Sequence, residues 1–258
     1  MRKPFYSLIF VFCSLTAFAD TTSYYVFNSI PKAILSVTPS LRDNALAFNK
    51  TTQKYYASGI NDSLSIIDIL SHDTTKNEQG IFNFRIKGIW YNTSLDLLEA
   101  FNADKNNCLS FYTDSEGYFE NLDTMSRVSS IQDSKRPIFT IYNPENDIYA
   151  YLEPISDLII EVSPYTGEIE DYITLNLPTQ STHVSDQLLY TENTDYPYAL
   201  ANKKDKVFYL ITSEGQVHAT AAFPIMDFTP TQYGFANGLF WFFNPANAQW
   251  VGYQLLQY

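Results

Sequence analysis

The sequence predicts an all-β protein, a β-propeller built most simply from five four-stranded antiparallel blades and closed by an N-terminal strand. Three observations support this prediction: a short motif that recurs at a regular spacing, a composition that favours strands along the whole chain, and a last repeat that is one strand short. Six smaller blades are the alternative, because the N-terminal region offers two spare strands instead of one.

The recurring motif is an apolar pair followed by Asn, a short polar turn and a second apolar run. The Asn of the four clear copies is Asn49, Asn92, Asn143 or Asn237, and a looser copy surrounds Asn193. The five positions are 43 to 51 residues apart. A period of this length indicates a repeat architecture.

Strand-forming residues dominate the composition. The chain has 20 Tyr and 19 Phe, and only 17% of its residues are charged, which suits half-buried pleated surfaces. The segment from Thr93 to Ala100 has a helical alternative with Ser94 as N-cap, but its place in the repeat favours a turn and a strand. The predicted strands are 44–48, 54–58, 63–69, 81–86; 88–91, 97–101, 108–113, 118–122; 138–142, 148–152, 157–162, 168–175; 187–191, 197–201, 206–211, 216–221; 232–236, 239–243 and 249–255.

The fifth repeat ends before its outermost strand. Two stretches near the N-terminus, Tyr24 to Phe27 and Ala33 to Val37, are candidates to replace it. A strand from the other end of the chain closes the ring by backbone hydrogen bonds and removes an exposed edge.

The first 19 residues have the pattern of a secretory signal peptide. Arg2 and Lys3 precede an apolar run from Phe5 to Leu15, and Ala17-Phe18-Ala19 is a cleavage signal. The run is too short to span a membrane, and no later stretch reaches about 18 apolar residues. We therefore expect a secreted or periplasmic protein whose single propeller domain covers residues 20–258.

The charge of the chain is strongly acidic. It has 28 Asp and Glu against 16 Lys and Arg, a net charge of −12. Such a surface repels phosphate backbones and anionic lipids, so nucleic acid and acidic membranes are excluded as partners. We expect a soluble monomer whose partner is a protein or a small anionic or glycan ligand. Cys108, the single cysteine after residue 19, is predicted to be a buried small apolar residue.

One stretch carries a family resemblance. The run from Asp157 to Ile169, with the turn Tyr165-Thr166-Gly167, resembles the third strand, turn and fourth strand of YVTN-type and NHL-like bacterial propeller repeats. The run from Ser63 to Asp68 resembles the same third strand. This resemblance implies the propeller fold, which serves both binding scaffolds and enzymes and does not choose between them.

The loops that lead into the innermost strands are the predicted ligand site. They carry several of the few positive residues of an acidic chain, which is suited to a small anion or an acidic peptide. The alternative is that charged residues simply occur in loops. The candidate ligand-binding residues are Arg42, Lys87, Arg136, His183, Asp186 and Gln232.

The sequence contains no familiar catalytic, phosphate-binding or metal-binding pattern, so we predict no catalytic residue, metal or cofactor. The first hypothesis is a non-catalytic binding protein, with Trp90, Trp241 and Trp250 either as exposed anchors or as packing between blades. The second is an enzyme resembling propeller glycoside hydrolases, which use paired carboxylates. Its candidate acids are Asp43, Asp186 and Glu192.

Overall fold

The computed structural model describes residues 24–37, 45–58, 64–71, 74–78, 84, 86–128, 140–153, 156–178 and 187–258. These residues form 22 strands and no α-helix. Nothing in the described part of the chain is therefore a helix long and apolar enough to cross a membrane.

Five four-stranded antiparallel sheets form the blades of a β-propeller, as predicted. Blades 1 to 4 each take four consecutive strands, which run outward from the axis in chain order. They are β3 Leu46–Asn49, β4 Lys54–Ser58, β5 Leu64–Asp68 and β6 Thr74–Glu78; β7 Ile86–Asn92, β8 Leu97–Asn102, β9 Asn107–Thr113 and β10 Phe119–Val128; β11 Thr140–Asn143, β12 Ile148–Glu153, β13 Leu158–Val162 and β14 Ile169–Thr174; β15 Gln187–Tyr190, β16 Tyr198–Asn202, β17 Val207–Ile211 and β18 Val217–Ala222.

Blade 5 combines the two ends of the chain. Its inner strands are β19 Tyr233–Ala236, β20 Leu239–Asn244 and β21 Gln249–Tyr253, and its outermost strand is the N-terminal β2 Ala33–Ser36. The other spare strand, β1 Tyr25–Phe27, pairs with β22 Leu255–Gln257 in a separate ribbon. N-terminal closure is therefore confirmed, and the six-bladed alternative is wrong.

The recurring Asn is a turn residue at the end of a strand. Asn49 Oδ1 accepts the backbone N–H groups of Thr51 and Thr52 at 2.8 and 3.2 Å. This side-chain bond replaces a backbone bond at the start of the turn. Asparagines with the same role are Asn92, Asn102, Asn143, Asn202 and Asn244. The motif thus marks the hairpin between the first two strands of a blade, and it is repeated at the next hairpin outward.

Each seam between neighbouring blades holds its own apolar cluster. Consecutive residues of a second strand point into opposite seams: Tyr55 packs on Trp241 of blade 5, whereas Tyr56 stacks on Tyr91 of blade 2. Because both faces are buried, these strands are continuously apolar. Cys108 is buried in the seam between blades 2 and 3, as predicted.

The three tryptophans also lie in seams. Trp241 and Trp250 are fully buried between blades 5 and 1, and Trp90 is buried between blades 2 and 3. They pack blades together, so the hypothesis of exposed anchors is wrong.

The structure corrects one predicted strand in blade 1 and rejects the helical alternative in blade 2. The outermost strand of blade 1 is Thr74–Glu78 and not 81–86. Within the predicted range 81–86, Phe84 and Ile86 pack into the core between blades 1 and 2. The helical alternative for Thr93 to Ala100 is wrong, because a turn there leads into the strand Leu97–Asn102.

A candidate ligand site in the central channel

The five innermost strands surround a cavity of about 120 Å³ on the axis of the ring. A single water needs roughly 10–15 Å³ by the same measure, so the cavity has room for a small ligand. Its lining includes residues from both ends of every innermost strand. Four strand residues at about 3.3 Å each make it a slender space roughly 13 Å long. We call the end where these strands begin the start face, and the end where the Asn turns lie the turn face.

The wall of the cavity is mainly apolar. Phe48, Ile141 and Phe235 are half-buried and contribute side chains from three different blades. Two glycines, Gly88 and Gly234, let the backbone itself form part of the wall. An apolar wall with a few polar groups is the usual composition of a small-molecule site.

Trp90 is held rigidly in this wall by a buried carboxylate. Its indole Nε1 donates to Glu99 at 2.7 Å, and Ser110 Oγ and Asn92 Nδ2 donate to the same carboxylate at 3.0 and 3.3 Å. Glu99 is fully buried on the second strand of blade 2. A buried carboxylate requires such donors, so this network is accounted for by the structure of the blade.

At the start face, an amide side chain joins blades 4 and 5. The Gln187 side chain donates to the backbone oxygen of Tyr233 at 2.6 Å and accepts its N–H at 2.9 Å. These two bonds imitate a backbone pairing between innermost strands. Gln187 therefore closes the seam.

Thr140 lies at the same end of the cavity and has unused hydrogen-bonding capacity. It is 1% exposed, and its hydroxyl has no hydrogen-bond partner within the described part of the chain. A buried hydroxyl without a partner costs about 1–3 kcal/mol.

At the turn face, an ion pair links two blades that are not neighbours. Lys50 Nζ lies 2.5 Å from Glu192 Oε2, and Lys50 belongs to the first turn of blade 1 whereas Glu192 belongs to that of blade 4. Because blade 5 lies between blades 1 and 4, the ion pair spans part of the channel mouth. Glu192 is itself part of the cavity lining.

A second carboxylate stands at the same mouth. The Tyr190 hydroxyl faces Glu145, which lies on the corresponding turn of blade 3. Burial, together with the negative charges of Glu145 and Glu192, raises the pKa of Tyr190 well above its ordinary value. Two carboxylates and one ammonium therefore surround a phenol that stays protonated.

A similar phenol–carboxylate contact lies farther from the axis. Tyr198 donates to Glu161 at 2.5 Å across the seam between blades 3 and 4. Burial, partly offset by the bond from Tyr198, raises the pKa of Glu161, and Asp171 and Glu170 add to the rise. This contact joins blades and does not reach the cavity lining.

The predicted site residues lie mostly outside the described residues; these are Arg42, Asp43, Arg136, His183 and Asp186. Of the two that are described, Lys87 lines the cavity near the start face, whereas Gln232 is buried in blade 5 and does not line it. The structure therefore brings Lys87 to the channel, and the anion site at the start face stays a prediction.

Among the candidate acids, Glu192 does line the cavity, and sequence reasoning missed Lys50, Glu145 and Thr140. A signal for the first two was present, since both directly follow the Asn motif by one or two residues. Within the described part of the chain, no group of three His, Cys, Asp or Glu residues is arranged to hold a metal.

Solved structures with a similar fold are propeller-type proteins. Glutaminyl cyclase of Myxococcus xanthus matches with a TM-score of 0.63 and 10% identity, over 91% of this chain and 98% of that chain. A streptogramin B lyase has a TM-score of 0.47 at 12% identity over 92% and 72% of the two chains, and virginiamycin B lyase of Staphylococcus aureus one of 0.44 at 10% over 88% and 73%. No protein-family model matches the chain, and no curated protein matches it. The first likeness shows a shared fold.

Proposed function

We propose that this chain is a non-catalytic binding protein that recognises a ligand at the mouth of its central channel. The observation that carries this proposal is a mainly apolar cavity on the axis of the ring that is lined by residues of all five blades. Two polar side chains of the lining already hold the ring together, since Gln187 bonds the backbone of Tyr233 and Glu192 pairs with Lys50. Such an arrangement suits holding a ligand.

A channel-filling variant tests this proposal. Ile141→Trp enlarges a half-buried side chain of the wall and should reduce binding at least about tenfold, because the cavity has little spare volume. The probe is a mixture of small amines, alcohols, carboxylates and monosaccharides, observed by saturation-transfer NMR. Ile225→Trp is the control, because Ile225 is 96% exposed and away from the channel.

Both variants should keep the far-ultraviolet circular dichroism spectrum of the native chain. Binding that is unchanged by Ile141→Trp, or reduced equally by Ile225→Trp, would place the ligand outside the channel.

A second candidate function is that of an enzyme, which one observation favours. Glu145 and Glu192, from different blades, both act on Tyr190 at one mouth. Paired carboxylates are the groups that glycoside hydrolysis requires. Nitrophenyl glycosides and a glutaminyl peptide are suitable substrates, the latter because of the glutaminyl cyclase with the same fold. Turnover that falls about a hundredfold in Glu192→Gln would establish an enzyme; no turnover would reject it.

We also propose that the protein is exported, on the strength of its N-terminal sequence. Expression of the full chain should give an extracellular or periplasmic protein whose first residue is Asp20. Full-length protein retained in the cytoplasm would contradict export.

A further inference from the structure

We infer that the channel binds a slender molecule that ends in a primary ammonium group, and that this ammonium replaces Lys50 on Glu192. The inference rests on the proposed function and specifies its ligand. Its starting point is that the turn-face mouth already holds an ammonium group: Lys50 Nζ contacts Glu192 Oε2 at 2.5 Å.

The position of Glu192 allows this exchange. It belongs to the cavity lining, so a group inside the channel can reach its carboxylate, whereas Lys50 approaches from the turn of another blade and is not part of the lining. The Glu192 carboxylate therefore faces both the Lys50 ammonium and the channel. Tyr190 and Glu145 stand beside it and add a second negative charge.

The energy of the internal pair permits its displacement. Lys50 and Glu192 are 58% and 40% exposed. Exposed ion pairs contribute about 0.2–1 kcal/mol, so a ligand that replaces Lys50 gives up little stability. The net charge of −12 also draws cations towards the protein.

The shape of the cavity specifies the rest of the ligand. A volume of about 120 Å³ spread along the innermost strands admits a linear chain and excludes a bulky ring system. The walls between the two faces are apolar, with Phe48, Ile141 and Phe235 among them. An alkyl chain therefore fits behind the ammonium group.

Thr140 is a polar residue of the lining at the other end of the channel. Its hydroxyl is buried, lacks a partner among the described residues and lies near the start face, opposite Glu192. A chain with ammonium at one end and hydroxyl at the other can span both residues, and its hydroxyl meets that of Thr140 once the Thr140 side chain turns toward the channel. Thr140→Val should keep the shape and remove this contact.

The test is isothermal titration calorimetry with hexylamine, hexanol, hexanoate and aminohexanol. Hexylamine should bind up to about fivefold more tightly than hexanol or hexanoate, the range of one exposed ion pair. Glu192→Gln should abolish this preference. Lys50→Met, which removes the competing ammonium and keeps the alkyl stem, should strengthen hexylamine binding by up to about fivefold, the equivalent of an exposed pair.

Two control variants make the test specific. Lys54→Met changes the net charge equally, but Lys54 lies over the Tyr118 ring away from the cavity lining, so hexylamine affinity should stay unchanged. Thr140→Val should remove the advantage of aminohexanol over hexylamine. It should also stabilise the fold, because an unsatisfied hydroxyl is lost.

The outcomes separate this inference from the proposed function. If hexanol and hexanoate bind as well as hexylamine, and Ile141→Trp blocks all three, the channel binds ligands but the ammonium inference is wrong. If Lys50→Met and Lys54→Met alter affinity equally, the exchange at Glu192 is wrong. If Ile141→Trp leaves the binding of every probe unchanged, the proposed function itself fails.

Discussion

At the scale of single residues, the asparagines of this protein have two hydrogen-bonding roles. The asparagines at strand ends, such as Asn49, Asn92 and Asn244, accept backbone N–H groups in the turn that follows them, whereas Asn237 donates to the Tyr55 hydroxyl. Asn92 has an additional role, because its Nδ2 also donates to the buried Glu99 at 3.3 Å. Asn92 therefore contributes to the buried network of blade 2 as well as to its turn.

Asn92→Asp should reveal this difference. Aspartate keeps the turn acceptor but places a second carboxylate against Glu99 in a buried site, which we expect to cost about 3 kcal/mol of the free energy of unfolding. Asn244→Asp is the matched control, since Asn244 caps a turn through Ala246 and should lose less than about 1 kcal/mol. Urea unfolding at pH 7 measures both. Equal losses would show that Glu99 does not depend on the Asn92 donor.

At the scale of elements, close approach of the innermost strands depends on particular glycines. A Cβ on Gly88 would lie 1.9 Å from the backbone oxygen of Thr140 on the neighbouring blade, whereas a Cβ on Gly234 would lie 3.7 Å from its nearest neighbours. Blades 2 and 3 therefore meet backbone to backbone at this point, and blades 5 and 1 do not.

Gly88→Ala should destabilise the ring by about 3 kcal/mol, because the backbone of an innermost strand has to move. Gly234→Ala should change the free energy of unfolding by less than about 1 kcal/mol, since its methyl group meets only ordinary van der Waals contacts. Denaturant unfolding of the two variants compares them directly. A tolerated Gly88→Ala would mean that the seam between blades 2 and 3 adjusts freely.

The elements also show how far the sequence determines the structure. Strands buried on both faces, such as Ile148–Glu153, were predicted within a residue or two because their apolar runs and turn residues agree. The edge strand Thr74–Glu78 was missed because an outermost strand needs no apolar pattern. The pair of Lys50 and Glu192 was unpredictable for another reason: 142 residues separate them, and only the geometry of the closed ring brings them together.

At the scale of the whole molecule, closure joins the ends of the chain. Tyr24 and Tyr258 exchange backbone hydrogen bonds of 3.1 and 2.9 Å, and the outermost strand of blade 5 comes from the N-terminus. The ring is thus closed by backbone pairing within one blade. All five seams between blades hold side-chain packing, and the other four blades are each complete in sequence.

Circular permutation separates closure by a shared strand from closure by packing. An Asn-Gly link between Tyr258 and Tyr24 makes a two-residue hairpin, since these residues already pair. New termini between Ser213 and Glu214 take the outermost strand of blade 4 from the opposite end of the chain, so a shared strand is retained. New termini after Ile225 fall between blades and leave every blade complete, so only packing closes the ring.

Relative to a chain that begins at Tyr24, the first permutant should keep its Tm, and the second should lose several degrees. A domain of this size loses about 2–4 °C of Tm per kcal/mol of lost stability. We expect a ring that is closed by packing alone to lose at least about 2 kcal/mol of stability. Calorimetry of all three chains makes the comparison. Equal Tm values for the two permutants would show that the packed seams alone hold the ring shut, and that the N-terminal strand serves chiefly to cover the edge of blade 5.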